Sequence, residues 1–399
     1  MSDLRKTLLG LPHKRSSASS LALSKQQFLP LKWQDYFDKE EYIDTVSGRH
    51  HVYIKGCKGP IILCLHGGGY NGLTWSLFAE EMFTNIECQI VALDFRGHGN
   101  TKTDNDGDLS LETLTEDVIN VANAIAPAGQ SSIVLVGHSM GGAIAVNASY
   151  QIQSLVGLCV IDVVEGTALD ALSSMQSILR GRPTHFKSIP HAIQWCYKGG
   201  QCHNLEAARV SMPGQIVNVQ SGAMACDEWN LFENMNVPDM PHSAESSFRS
   251  SNFTIREGVE EVADHDVCGK PPLAEEKTFK VPTTSTGKGD EGSGYTWRID
   301  LSKTETYWKH WFQGLSEKFL GTNVPRILML ANISGLDTKL TVGQMQGKFQ
   351  LQVLAKTGHA VHEDQPHQVA EILSIYLVKQ KCATTKAGFV MPLHPNVCC

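Results

Sequence analysis

What the sequence lacks narrows it first. Nowhere in its 399 residues is there an apolar run approaching the roughly 20 residues that cross a bilayer; the longest, such as Ile61 to Leu65 and Ile133 to Val136, have the length of strands. No membrane-spanning helix is expected. Met1 to Lys25 holds only Leu8-Leu9-Gly10-Leu11 among serines and basic residues, without the continuous apolar region and small-residue cleavage site of a secretory signal, so the expected location is the cytosol or nucleus. An excess of positive charge is missing too. Lys plus Arg number 34 against 41 Asp plus Glu, and a net charge of -7 gives no general pull toward nucleic acid or anionic membrane.

Eleven cysteines contain no Cys-x-x-Cys pair, which leaves a structural zinc site without support. Cys64, Cys88 and Cys159 lie inside apolar, strand-like runs where a thiol acts as a small hydrophobe, and reduced thiols fit the same compartment. The sequons at Asn252 and Asn332 are then inert. Cys398-Cys399 reads as a frayed tail; it lacks the Cys-a-a-X form of a prenylation signal. There is no internal repeat.

What is present is globular: 42% hydrophobic and 19% charged residues. Residues 1–29 are Ser-rich and without periodicity, as a disordered segment would be. Two short strands, Glu41 to Val46 and His50 to Lys55, flank Ser47-Gly48. The apolar runs Ile61 to Leu65, Gln89 to Leu93, Ser132 to Val136 and Leu155 to Ile161 follow, with helical spacing over Trp75 to Phe83 and Leu111 to Ile125. That alternation predicts βαβ units and a mostly parallel sheet with helices on both faces. Two more strands, Arg326 to Ala331 and Phe349 to Leu354, precede a closing helix over Val369 to Val378, with Pro366 suited to a first helical turn. The expected organisation is a core of residues 30–165 and 324–381, a cap inserted as 166–323, and a tail of 382–399. The cap is helical over Ala168 to Met212 and irregular over 213–294, where a mobile loop is expected.

Gly137-His138-Ser139-Met140-Gly141 directly follows a predicted strand and directly precedes a helical start. This is the setting of a nucleophile elbow, in which small flanking residues let the backbone turn sharply and lift the Ser139 hydroxyl clear of the sheet. The expected architecture is therefore the α/β-hydrolase fold with an inserted cap. A serine of this kind needs an imidazole to take its proton. Of sixteen histidines, His359 stands between the last strand and the last helix; His362 is the alternative, and His138 is expected to point elsewhere. His66-Gly67-Gly68-Gly69 after the first long strand is the matching oxyanion loop, with Gly68 or Gly69 as one N–H donor and Met140 as the other. A phosphate-binding role for these glycines lacks the Walker lysine. Two aspartates fit the acid of the triad: Asp337, after the strand Arg326 to Ala331, and Asp162, after Leu155 to Ile161. The run Asp94 to Gly99 reads as a turn held by Arg96.

These residues together resemble the protein phosphatase methylesterases, which remove the methyl ester from the C-terminal leucine of the protein phosphatase 2A catalytic subunit. The resemblance rests on His66 to Gly69, Gly137 to Val146, Asp162 to Ala168, Arg180-Gly181-Arg182-Pro183, Asn204 to Glu206 and Ala208 to Met212. It continues through Tyr295 to Arg298, Gly343 to Gln350 and Gly358 to Asp364, and so spans residues 31 to 380. It implies Asp162 as the triad acid, an acyl-enzyme on Ser139, no metal or organic cofactor, and a partner, the phosphatase core enzyme, that switches on a distorted free site. The loop 213–294 departs from the strongly acidic run of the family. A general small-ester hydrolase, or a non-catalytic phosphatase-binding protein on the same scaffold, are the competing expectations. Trp297, Trp308 and Trp311 are candidates to hold the phosphatase tail, with core packing as the competing role for each.

Overall fold

The computed structural model describes residues 26–127, 131–229 and 294–391. Residues 1–25 of the expected disordered segment 1–29, most of the 213–294 loop, the end of the 382–399 tail with Cys398-Cys399, and the Asn252 sequon lie outside these residues; within 26–29 the expectation fails, since Phe28 is buried among apolar side chains. The hairpin β1 (Lys39–Thr45) and β2 (Gly48–Lys55) leads into β3 (Ile61–Leu65), α1 (Ser76–Asn85), β4 (Gln89–Leu93), a short β5 (Lys102–Thr103), α2 (Leu111–Ile125), β6 (Ile133–His138), α3 (Met140–Ala148) and β7 (Leu155–Ile161). The chain then leaves the sheet for α4 (Glu165–Arg180), β8 (His185–Phe186), α5 (Ile189–Lys198), α6 (Leu205–Ser211), β9 (Ile216–Asn218) and β10 (Tyr295–Trp297). It returns through α7 (Glu305–Phe312) and α8 (Leu315–Gly321) to β11 (Arg326–Leu330), α9 (Thr338–Met345), β12 (Gln350–Val353), α10 (Val361–Asp364) and α11 (Pro366–Lys379).

The main sheet runs β1-β2-β4-β3-β6-β7-β11-β12, with β5 paired to β2. β1 and β2 are antiparallel, as is β2 against β4, and every neighbour from β4 to β12 is parallel. Parallel strands are buried on both faces, which explains why their sequences are continuous apolar runs instead of alternating ones. Ile61, Leu63, Leu65, Ile133 and Leu135 face one core, beneath α2, α3, α7 and α8. Ile62, Cys64, Val134 and Val136 face the other, beneath α1 and α11. The cysteines among the described residues are all free thiols, and no helix among those residues is long and apolar enough to cross a membrane.

Between β7 and β11 a separate small core forms. β8, β10 and β9 make a three-stranded antiparallel sheet, packed with Ile189, Ile193 and Cys196 of α5 and Ala207 and Ala208 of α6. The segment expected to be irregular from residue 213 is thus already a strand at Ile216–Asn218, because β10, some eighty positions further on, supplies its partner. A strand of three residues with a distant partner leaves no periodic signal. Trp308 and Trp311 of α7 are buried against the main sheet and belong to its core, whereas Trp297 is half-buried in the small sheet.

Candidate active site

The elbow is fixed by close backbone approach. A Cβ on Gly137 would lie 2.3 Å from the Gly141 carbonyl oxygen, and one on Gly141 would lie 2.3 Å from that of Leu65, so the two glycines of the Gly-x-Ser-x-Gly pattern are steric necessities. Ser139 takes φ 51° and ψ -120°, a conformation costly for a residue with a Cβ and held here by its N–H bond to the Ile161 carbonyl on the neighbouring strand. Its hydroxyl makes no hydrogen bond among the described residues.

His359 lies between β12 and α10, and its Nδ1 donates to Asp162 Oδ2 at 2.8 Å. Asp162, just past β7, also has φ 51°, and its second oxygen accepts from the Ala331 N–H at the end of β11. Burial alone would raise this carboxyl, but the bond and charge of His359, with the Ala331 N–H, together outweigh it and hold Asp162 below the usual range. Asp337 is elsewhere engaged. It caps α9 by accepting from the Leu340 N–H and accepts from the Ser316 hydroxyl. The geometry therefore joins His359 to Asp162 and makes Asp337 a helix cap.

His362 is fully buried, with Nε2 against the Thr74 hydroxyl at 3.0 Å and burial pushing its pKa down to about 3, which is no setting for a base facing substrate. His138 departs from the expectation that it points away. Its Nε2 donates to the His359 carbonyl oxygen at 2.8 Å, and its ring lies 4.7 Å from that of His359. Burial, then the neighbouring His362 and His359, hold it well below the ordinary histidine value, so it stays neutral and braces the loop carrying His359. Asp364 braces the same loop by accepting from the Gly358 N–H and from His203 of the inserted segment.

The glycine loop after β3 meets the elbow. A Cβ on Gly67 would touch Ser139 Cβ at 3.3 Å, and one on Gly68 would lie 3.7 Å from Met140 Sδ. Among the described residues the N–H groups of Gly68 and Met140 have no protein acceptor. Gly69 does: its N–H donates to His98 Nε2 at 2.9 Å. This corrects the expectation that Gly69 could be the oxyanion donor, because its one N–H is already committed to shaping the loop. The imidazoles that do the shaping have defined tautomers. His98 donates from Nδ1 to the Arg96 carbonyl, and His66 donates from Nδ1 to the Gly67 carbonyl while Nε2 accepts from the Phe95 N–H. Burial pushes their pKa values down to about 3 and about 4, which keeps both neutral, as acceptors must be.

The turn after β4 is held by more than Arg96. Arg96 makes a two-pronged pair with Asp117 of α2 at 2.6 and 2.8 Å, while buried Asp94 accepts from the N–H groups of Gly72 and Asn100 and from His51. Reading along the chain missed the roles of His98, Asp94 and His138. The one available signal was the density of histidine and glycine in Asp94 to Gly99.

Residues 62–372 match the Alpha/beta hydrolase family. The chain is 44% identical over 372 residues to the protein phosphatase methylesterase 1 of Mus musculus, covering 92% of this chain and 89% of that one. It belongs to the protein phosphatase methylesterase family. A fission-yeast relative of the same name, from Schizosaccharomyces pombe, is 32% identical over 93% of this chain and 92% of its own. Among solved structures, E-2-(acetamidomethylene)succinate hydrolase superimposes with a TM-score of 0.57 at 14% identity, covering 85% of this chain and 99% of its own; the thioesterase domain from the curacin biosynthetic pathway gives 0.52 at 15%, covering 84% and 98%. These two likenesses concern the fold. As a member of the methylesterase family the protein is a hydrolase, an esterase. The described residues contain no cluster of three or more candidate metal ligands.

Proposed function

We propose that the protein removes the methyl ester from the C-terminal leucine of the protein phosphatase 2A catalytic subunit, through Ser139, His359 and Asp162. The observation carrying this reading is the 2.8 Å bond from His359 to Asp162 beside a serine held on a strained elbow, in a chain of the methylesterase family. His359 Nδ1–H bonded to Asp162 leaves Nε2 unprotonated, the form that takes the Ser139 proton as Oγ attacks the ester carbonyl. The N–H groups of Gly68 and Met140 receive the oxyanion, each contributing about 3 kcal/mol. The imidazolium returns its proton to the departing methoxide, so methanol leaves, and His359 then activates a water that releases the leucine carboxylate from Ser139.

Ser139 Oγ is not hydrogen-bonded to His359 in this structure, and catalytic hydrogen bonds commonly tighten only with substrate bound. In this proposal the docked phosphatase supplies that alignment. The test is incubation of the full chain with methylated phosphatase core enzyme, following the methyl group, with Ser139→Ala as control. Loss of the methyl group with the wild type alone supports the reading. A persistent methyl ester overturns it, and turnover of small esters under the same conditions would then indicate a general esterase. Failure of a fluorophosphonate to label Ser139, with phosphatase present, would indicate a non-catalytic scaffold.

A further inference from the structure

Two of the sequence strings that the catalytic chemistry does not use meet in space. Arg182, from Arg180-Gly181-Arg182-Pro183, lies with its guanidinium carbon 3.7 Å from the ring centre of Trp297 and 5.8 Å from that of Trp195. Trp297 is itself oriented by its indole N–H, which donates to the Pro183 carbonyl oxygen at 2.7 Å, and it packs edge-on against Trp195. The guanidinium thus sits over an aromatic platform whose tilt is fixed.

The Arg182 guanidinium packs on Trp297, but its N–H groups are not used. Every other arginine among the described residues directs a side-chain N–H at a protein acceptor: Arg49 at Asp44, Arg96 at Asp117, Arg298 at Asp106, Arg180 at Gln176, and Arg209 and Arg326 at backbone carbonyls. Arg182 alone among them has neither hydrogen-bonded acceptor nor ion-pair partner there, although it is half-buried. A guanidinium stacked on tryptophan presents its planar fork of N–H donors sideways, the arrangement that grips a carboxylate with two parallel bonds.

The position bears on the candidate active site. Leu301, four residues after Trp297, lies against the glycine loop: a Cβ on Gly69 would meet its Cδ1 at 2.7 Å, and one on Gly68 its Cδ2 at 3.9 Å. The esterified end of the substrate is neutral, so a cation on the segment that leads to the glycine loop has no partner at the reacting group before turnover.

We propose that Arg182 on its Trp297 platform is a specificity site that binds the carboxylate of an acidic side chain lying shortly upstream of the esterified C-terminal residue. Within about three residues, roughly 10 Å of extended chain, is the reach expected. The inference that the bound molecule is a peptide rests on the methylesterase reading.

The test uses the full chain with Ser139→Ala, which retains binding without turnover, and fluorescent peptides ending in leucine methyl ester. They carry Glu or its neutral isostere Gln at one of the three preceding positions, and anisotropy gives Kd. At one position Glu should bind about tenfold tighter than Gln. Adding Arg182→Gln should collapse that ratio to below about twofold, and Arg182→Lys should restore only part of it. Equal affinity for Glu and Gln peptides at all three positions overturns the proposal. So does an Arg182→Gln variant that weakens both peptides in proportion, the result expected of a purely structural stack. A parallel arm compares the free acid with the methyl ester: tightening by the free acid, with no effect of Glu, would mean that the cation serves the product carboxylate, which also overturns it. Should Arg182→Gln fail to fold by circular dichroism, the Glu-to-Gln ratio in the Ser139→Ala protein and its loss at high salt still decide. Acid-selective binding without methanol release by the wild type would sink the methylesterase reading while leaving the subsite standing.

Discussion

Asp162→Asn compared with Asp337→Asn separates the two candidate acids. Asp162 uses both oxygens as acceptors, Oδ2 from His359 Nδ1 at 2.8 Å and Oδ1 from the Ala331 N–H at 2.9 Å. An asparagine has only one oxygen. If that oxygen stays with Ala331, its NH2 faces His359 Nδ1, which must then be the acceptor, and the ring proton moves to Nε2, where a general base needs a lone pair. If the oxygen faces His359 instead, the NH2 opposes the Ala331 N–H, donor against donor. Either arrangement also removes the charge that stabilises the imidazolium. A loss of about 10³- to 10⁴-fold in kcat follows, roughly 4 to 5.5 kcal/mol of transition-state stabilisation. Asp337→Asn keeps a good N-cap for α9, and should cost less than about 1 kcal/mol of stability and leave turnover within about twofold of wild type. Release of methanol from the methylated phosphatase, or of nitrophenol from an activated acetate ester, is the assay, with thermal melting as control for folding. If Asp337→Asn suffers the larger loss in turnover while both variants stay folded, the assignment of Asp162 is wrong.

His138→Ala, which removes the bond to the His359 carbonyl, should lower kcat by about 10- to 100-fold with KM nearly unchanged, and His138→Gln should recover part of it; equal activity of all three proteins would show that the brace is idle. Freeing the Gly69 N–H with His98→Ala should lower kcat about tenfold or more by loosening the oxyanion loop, read as weaker trapping by an ester transition-state analogue, and unchanged trapping would restore Gly69 as a donor. Gly137→Ala places a Cβ 2.3 Å from a carbonyl oxygen; insoluble protein or a melting temperature lowered by several degrees is expected, and a melt superimposable on wild type would contradict the elbow geometry. Buried His51 donates to both Asp94 and Glu40; these bonds outweigh the opposing effect of burial and raise its pKa from 6.5 to about 9. Because the folded state holds this proton more tightly than the unfolded chain, the stabilisation is complete below pH 6.5 and lost as pH rises through about 9, a fall on the order of 3 kcal/mol. Urea denaturation between those pH values should show it, and His51→Gln should flatten the slope.

Much of the scaffold was legible because its signals are local. Leu155 to Ile161 and Leu111 to Ile125 match the observed β7 and α2 residue for residue, since a strand buried on both faces must be apolar throughout and an amphipathic helix must repeat its apolar positions. The elbow was legible for the same reason: Gly137 and Gly141 answer to steric contacts at fixed spacing. The acid was legible only through the family resemblance, which implies Asp162, and not from spacing. Asp162 and Asp337 each follow a strand next to the site, and only pairing across β7 and β11 shows which reaches His359. Nor could spacing reveal that the Gly69 N–H is taken by His98, twenty-nine residues away.

The sequence by itself determined the sheet of parallel strands and the sharp turn at Ser139, and it singled out His359 for the proposed base, because each depends on neighbours within a few positions. The tertiary structure decided the rest: Asp162 and not Asp337 bonded to His359, the Gly69 N–H committed to His98, His138 bonded to the His359 carbonyl, and Arg182 laid on Trp297. These are contacts between residues up to about two hundred positions apart, and hydrogen-bond geometry over such separations is set by how elements pack, not by the order in which residues are joined.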